Sequence, residues 1–439
     1  MRDLPRVLIL NQPFNSQSGG GITLSNLFSD WDRDKLAVLC PSYLINDGTE
    51  GHICQNYYQL GSKEHKWLFP FNFIAKKHYS GPLLISREKS LRPNAKSASL
   101  RKRLLSDYLN PMFRATGMAH WISRYELSDE LKNWLNAFNA DIIYAQAQRR
   151  ENLLFCLVVQ KYLNKPMVFH MMDDWVAWVP KGKIFGVDWS RQIDIDFREV
   201  LKASSLHLSI SDLMAKEYQE RYGYRFIPFH NPIDVDFWRR GQRQSYELSE
   251  VPEILYAGRV GLGISESLKI MARAITSLNK DLGLRIRFVI QSGDKEHWMD
   301  EYEVVQHRSF VEYSELPSRF GTADILFLPY EFAKEAIQFF KYSMPTKASE
   351  YMVCGTPILI FSPEEMAIVS YARVYGWAKV VTENSLDSLI NALKELLGDT
   401  EIRQSIGTKA ISVAAERHDG FLVRTEFMRL LGGLVNSDN

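Results

Sequence analysis

Pro345-Thr346-Lys347-Ala348-Ser349-Glu350-Tyr351-Met352-Val353-Cys354-Gly355-Thr356-Pro357-Ile358-Leu359-Ile360 reads as a short helix opened by a proline, closed by a glycine and followed at once by a buried strand. Proline suits a helix start, where its missing N–H would be unpaired anyway, and glycine suits the left-handed residue that ends a helix. The apolar run from Thr356 to Phe361 has strand length and fits a parallel strand covered on both faces. Lys347 and Glu350 are three residues apart, so they share a face near the helix start, where free backbone N–H groups attract anions. Lysine, carboxylate and helix start together suit a phosphorylated, hydroxyl-rich ligand. An ordinary surface ion pair on a βαβ helix is the alternative.

The same grammar runs through the whole chain. Expected strands of the first half are Arg6 to Leu10, Lys35 to Cys40, Asp141 to Tyr144, Pro166 to His170, Leu206 to Ser211 and Arg225 to Phe229. Those of the second half are Glu253 to Ala257, Leu284 to Ile290, Asp324 to Pro329, Thr356 to Phe361 and Ala378 to Val381. Helical patterns separate most of them, and that alternation means α/β architecture with parallel sheets covered on both faces. The turn-forming cluster His230-Asn231-Pro232-Ile233-Asp234 divides the two sets. We therefore expect two doubly wound, Rossmann-like domains, at 1–232 and 233–411, facing a cleft. A helical segment at 412–439, starting near Ser412, should return to the first domain. Ligands of open α/β sheets bind beyond the C-terminal ends of the strands.

Bulk properties agree with that division and narrow the function. At 439 residues the chain is too long for a single core. With 53 Lys and Arg against 52 Asp and Glu, the formal net charge is +1, which argues against a dedicated nucleic-acid binder while leaving room for a local basic patch. The four cysteines, Cys40, Cys54, Cys156 and Cys354, lack metal-type spacing; most lie in apolar surroundings and read as reduced core residues. Met1-Arg2-Asp3-Leu4-Pro5 leads straight into a strand, so no signal peptide is expected, and no apolar run approaches the roughly 20 residues that span a bilayer. A cytoplasmic protein, free or peripheral on the inner face of the plasma membrane, is expected.

Three further segments carry chemistry. Asn11 to Gly21 follows the first strand and ends in Gly19-Gly20-Gly21 before a helix. Contiguous glycines let backbone N–H groups approach a phosphate closely, although neither the dinucleotide pattern nor a P-loop is present, and a plain turn is the alternative. His170-Met171-Met172-Asp173-Asp174-Trp175 closes a central strand. There a histidine can meet a sugar hydroxyl or phosphate, while Asp173 and Asp174 can take a carbohydrate hydroxyl or a metal, or cap the next segment. Trp175, Trp178 and Trp189 could stack on sugars or pack beneath the loop. Gly258-Arg259 after the strand Ile254 to Ala257 puts an arginine where it can hold a diphosphate in bidentate fashion.

In this order, together with Val168-Phe169-His170, Asn231-Pro232-Ile233-Asp234, Tyr313-Ser314-Glu315-Leu316-Pro317 and Ala323 to Pro329, these segments resemble the GT-B glycosyltransferases of the large retaining group called family four. The resemblance covers nearly the whole chain. It implies transfer of a sugar from a nucleotide diphosphate sugar to a saccharide or lipid-linked saccharide with retained configuration, as in bacterial surface polysaccharide synthesis. No metal, no cofactor beyond the donor and no nucleic-acid partner are implied. Gly19, Gly20 and Gly21 would lie under the donor phosphates and acceptor, and His170 would contact the donor sugar or its phosphate. Arg259 would hold the diphosphate, Glu350 the ribose hydroxyls, with Lys347 at the phosphate end and Phe310 and Val311 at the base. His170, Arg259 and Glu350 would form the catalytic set, and Asp173, Asp174 and Trp175 the acceptor side. Two departures stand out: Tyr342 sits where the family carries a first glutamate, and Val260 to Ser265 lacks the family's lysine.

The acceptor half also contains Trp67-Leu68-Phe69-Pro70-Phe71-Asn72-Phe73-Ile74, followed by Lys76, Lys77 and a basic stretch to Arg103 in which Glu88 is the only carboxylate. Aromatic residues beside cations fit contact with an anionic membrane surface and a polyprenyl-linked acceptor; a packed helix with a solvated basic loop is the alternative. Other functional classes remain open: an inverting GT-B transferase using Asp173 or Asp174 as base, a nucleotide-sugar epimerase, or a catalytically silent GT-B binding subunit.

Overall fold

The computed structural model describes residues 4–16, 18–46, 48–69, 71–73, 77–85, 120–179, 183–184, 187–261 and 263–436. Two compact units result. The first comprises 1–210, 215–229 and 424–439, and the second 211–214 and 230–423.

In the first unit the strands are β1 (Val7–Leu10), β2 (Leu36–Pro41), β3 (Asn56–Leu60), β4 (His65–Trp67), β5 (Gly81–Leu84), β6 (Ser123–Tyr125), β7 (Ile142–Ala145), β8 (Met167–Met171), β9 (Lys183–Ile184), β10 (Val187–Asp188), β11 (Leu206–Ser209) and β12 (Phe226–Pro228). Eight of them form one sheet in the order β12-β11-β8-β7-β1-β2-β3-β5, parallel except where β5 pairs antiparallel with β3. The chain leaves β1 toward β2 on one side and later fills the other side through β7. The β1/β7 junction is thus the switch point where such sheets bind ligands, with Val7 opposite both Leu36 and Ile142. β1, β2, β7 and β8 are buried along their whole length, as parallel strands covered on both faces must be.

The second unit holds β13 (Glu253–Ala257), β14 (Arg287–Gln291), β15 (Val305–Arg308), β16 (Ile325–Pro329), β17 (Ile358–Phe361) and β18 (Lys379–Val381), all parallel in the order β15-β14-β13-β16-β17-β18. Ile254, Phe288, Ile325 and Leu359 from four of these strands share one core with Leu268, Met271 and Ile275 of the helix Ser265–Leu282.

One expectation needs correction, and several strands were not expected at all. The helical stretch expected from Ser412 is two helices, Thr400–Arg417 and Gly420–Asn436. Asp419 breaks them by capping the second, accepting from the N–H groups of Phe421 and Leu422 at 2.8 and 3.2 Å. The second helix carries Phe427, whose ring lies 5.0 Å from Phe28 and 5.4 Å from Phe229, and Arg424, which pairs with Asp30 at 2.5 Å. It thereby joins the first unit from Arg424 onward. The strands β3, β4, β5, β6, β9, β10 and β15 were not among those expected. β15 is a polar edge strand, Val305-Gln306-His307-Arg308, without the apolar run that marks its neighbours.

Candidate functional site

In the second unit Arg259 and the helix that carries Lys347 and Glu350 meet at the C-terminal end of β13. The helix Thr346–Cys354 begins at Pro345 and ends at Gly355, whose φ of 73° is the left-handed value the sequence calls for. Tyr351 fastens this helix to the strand end: its hydroxyl accepts from the Ala257 N–H at 2.9 Å and donates to the Ala257 carbonyl at 3.4 Å. Lys347 then lies across the turn after the strand. Its Nζ donates to the Tyr256 hydroxyl at 3.3 Å and sits 4.4 Å from that ring's centre, a cation–π contact. Gly258 makes room for this, since a Cβ there would stand 2.0 Å from the Lys347 Nζ. The Tyr256 hydroxyl in turn donates to the Arg259 carbonyl at 2.5 Å, fixing the loop that bears the arginine.

The charged groups here are held by packing and left open for bonding. Arg259 is exposed, its guanidinium 5.6 Å from the Phe340 ring and without an acceptor among the described residues. Glu350 is half-buried, and its carboxylate has no hydrogen-bonding partner among them either. Burial pushes Glu350 up to about 7 against the opposing pull of Lys347. Burial likewise brings Lys347 down to about 8, with Glu350 raising it and Arg259 lowering it. Both groups therefore change charge near neutrality, a condition typical of ligand sites. Phe310 is exposed and leans toward Gly293 in the loop after β14, where a Cβ would lie 3.2 Å from its ring. Val311 follows it, half-buried. Tyr342 is buried at 4% exposure with the Lys341 Nζ 4.8 Å from its ring centre, so this position offers no carboxylate.

In the first unit the glycines are not a loop before the helix but its first turn, in the helix Gly19–Phe28 capped by Ser18. The Ser18 hydroxyl accepts from the Gly21 N–H at 3.2 Å, and no protein acceptor among the described residues meets the N–H groups of Gly19 and Gly20. A Cβ at Gly21 would stand 2.2 Å from the Asn15 side chain, and one at Gly20 3.3 Å from the Gln12 Oε1 and 3.7 Å from the Gln146 Oε1. The helix start thus presses on amide side chains at the ends of β1 and β7. Buried Gln146, whose Oε1 has no hydrogen-bond partner among the described residues, was missed by sequence reasoning. The rule that drew attention to His170 would have found it, since Gln146 directly follows a strand.

His170 and Asp174 are not exposed as expected. His170, in β8, is 1% exposed, and its Nδ1 meets the Tyr144 hydroxyl at 2.6 Å. Burial lowers it to about 3 despite the Ser209 backbone beside it, so the imidazole is neutral. The strand runs one residue further than expected, and the ring falls inside the layer against β7. Asp174 is buried too, accepting from the Tyr218 hydroxyl at 2.6 Å and from the Arg221 guanidinium at 3.1 and 3.2 Å. It is a structural anion, because burial without those partners would be prohibitive. Trp175 is buried and packs beneath the loop, while Asp173 is half-buried. Of the aromatic and basic stretch at 67–103, residues 70, 74–76 and 86–103 lie outside the described residues, while Phe69 and Phe73 are 78% and 74% exposed.

No family model and no curated protein matches this sequence. Solved structures match along almost its full length. Alr3699/HepE from Anabaena in complex with UDP has a TM-score of 0.56 at 13% identity, covering 98% of this chain and 100% of that one. Sucrose-phosphate synthase from Thermosynechococcus elongatus has a TM-score of 0.60 at 11% identity, covering 99% and 100%. The α,α-trehalose 6-phosphate synthase from Burkholderia multivorans has a TM-score of 0.60 at 12% identity, covering all of both chains. The chain has the GT-B fold, the architecture of these glycosyltransferases. At such identities the likeness fixes the architecture, and function must be argued from the site.

Proposed function

We propose that this chain is a glycosyltransferase that moves a sugar from a nucleotide diphosphate sugar to a saccharide or lipid-linked saccharide, with retention of configuration. The observation that carries the proposal is the group at the end of β13: Arg259 and Glu350 open for bonding, Lys347 held over Gly258, and exposed Phe310 in the same unit. Arg259 and Lys347 suit the diphosphate, whose leaving charge they would stabilise. Glu350, once ionised, suits the ribose hydroxyls, and Phe310 offers a face to the base. The Gly19 and Gly20 N–H groups suit the acceptor side or the donor phosphates. In the proposed step the acceptor hydroxyl attacks the anomeric carbon on the face the diphosphate leaves, and a phosphate oxygen of the donor takes the proton. The protein then contributes positioning and charge stabilisation, and no protein nucleophile is needed. The Asp174 ion pair speaks against that residue as the base of an inverting reaction.

Exposed Phe69 and Phe73, with ring centres 5.9 Å apart, support the further reading of a protein resting on an anionic membrane where a polyprenyl-linked acceptor for surface polysaccharide is presented. No helix among the described residues is long and apolar enough to cross a membrane. The deciding experiment is a thermal-shift screen with UDP, GDP and their sugars, on the native chain and on Glu350→Ala. Stabilisation by a nucleoside diphosphate that the substitution removes is expected. An unchanged shift in the variant, or none in the native chain, would refute the assignment, and NMR of the product's anomeric proton decides retention.

A further inference from the structure

A cavity of about 330 Å³ lies in the first unit at the C-terminal ends of β2 and β3, where Ser42 and Gly61 continue from those strands. Such edges are where open α/β sheets take ligands, and the volume is within the range of small-molecule sites. Its lining includes His65, Lys66, Trp67, Lys77 and His78, and among the described residues no carboxylate lines it. Lys66 and Lys77 are exposed and pair with no acidic side chain among those residues. One wall is rigidly built. The His65 Nε2 lies 3.3 Å from the buried Glu151 carboxylate, which also accepts from the Ser123 hydroxyl. The His65 ring stacks on Tyr125 at 4.5 Å, and the Trp67 ring lies 5.5 Å away. The other wall is tied down by the backbone: the His78 N–H donates to the Ser62 hydroxyl at 2.8 Å and the Ser62 N–H to the His78 carbonyl at 3.1 Å.

We propose that this cavity binds a saccharide bearing a phosphate or carboxylate group. Two lysines without acidic partners supply the attraction for the anion. The Trp67 indole supplies an apolar face for a sugar ring, and Ser42 and Asn72 supply hydroxyl and amide partners for its hydroxyls. A neutral sugar would leave the cations unused, and a bare inorganic anion would leave the aromatic wall unused. The ligand's role as acceptor rests on the transferase reading above; its binding does not.

Isothermal titration calorimetry of the full chain with glucose 6-phosphate, glucuronate, glucose and inorganic phosphate tests this, with UDP titrated in parallel. Either anionic sugar should bind at least about tenfold more tightly than glucose and than phosphate, the scale of one charge-assisted hydrogen bond. The double substitution Lys66→Ser with Lys77→Ser should abolish that advantage and leave UDP affinity and melting temperature unchanged. Absence of binding by both anionic sugars, phosphate binding as tightly as they do, or an undiminished advantage in the double variant would each overturn the proposal. Sugar binding without any UDP binding would uphold it while refuting the transferase reading.

Discussion

Asp174 and Arg259 occupy comparable places, each beyond the C-terminal end of a buried parallel strand, and their surroundings are opposite. Asp174 in the first unit is buried and satisfied by Tyr218 and Arg221. Arg259 in the second is exposed, its guanidinium resting near Phe340 and its donors open among the described residues. A charge at a sheet edge serves the fold when the protein supplies its partners, and is available to a ligand when the protein supplies only its position. Stability and binding should therefore separate cleanly between the two.

The largest effect expected is at the satisfied charge. Asp174→Ala removes the buried carboxylate to which the Tyr218 hydroxyl and the Arg221 guanidinium donate, and breaking such a buried pair costs about 3–5 kcal/mol. Calorimetry should show the first unit melting on the order of 10 °C lower. A drop within 2 °C, as the cost of a surface pair would give, would break the comparison.

Arg259→Ala should do the converse, weakening UDP binding by roughly 10- to 100-fold with the melting temperature of the free protein unchanged. Titration calorimetry and a melting scan together decide; a large loss of stability without loss of affinity would mean the arginine belongs to the fold.

The pH profile sharpens the contrast more gently. Glu350, raised to about 7, loses its charge as pH falls through that value; Lys347, lowered to about 8, loses its own as pH rises through that one. UDP affinity should peak between about 7 and 8 and fall severalfold on either side. Glu350→Gln should flatten the acid limb and Lys347→Met the alkaline limb. A profile without an acid limb in the native chain would show that Glu350 ionisation does not matter to binding.

The smallest effect belongs to His170. Neutral and enclosed against Tyr144, it should tolerate replacement by phenylalanine with UDP affinity changed less than about twofold, since it carries no charge to lose. A tenfold loss would restore it to the donor site.

Much of the fold was legible because buried parallel strands write themselves as apolar runs. Glu253–Ala257 was read to the residue, and β1, β2, β7 and β8 were each placed within one residue at either end. The edge strand β15 and the antiparallel β5 were not legible, because an edge need not be apolar. In the site, Lys347 and Glu350 were legible from helix spacing, which fixes which side chains share a face. The burial of His170 against Tyr144 was not legible, because a position at a strand's end does not say what packs over the side chain. Lys347 resting on Tyr256 over Gly258 was not legible, since residues 89 to 91 positions apart meet only through folding.

By itself the sequence determined two parallel-sheet units and the helix that carries Lys347 and Glu350, because periodicity, capping and turn chemistry are local. Only the tertiary structure decided which charges stay open and which are taken, because partnership depends on distant segments: Asp174 is claimed by Tyr218 and Arg221, Glu350 by no described residue. That choice separates a residue that holds the protein together from one that can hold a ligand.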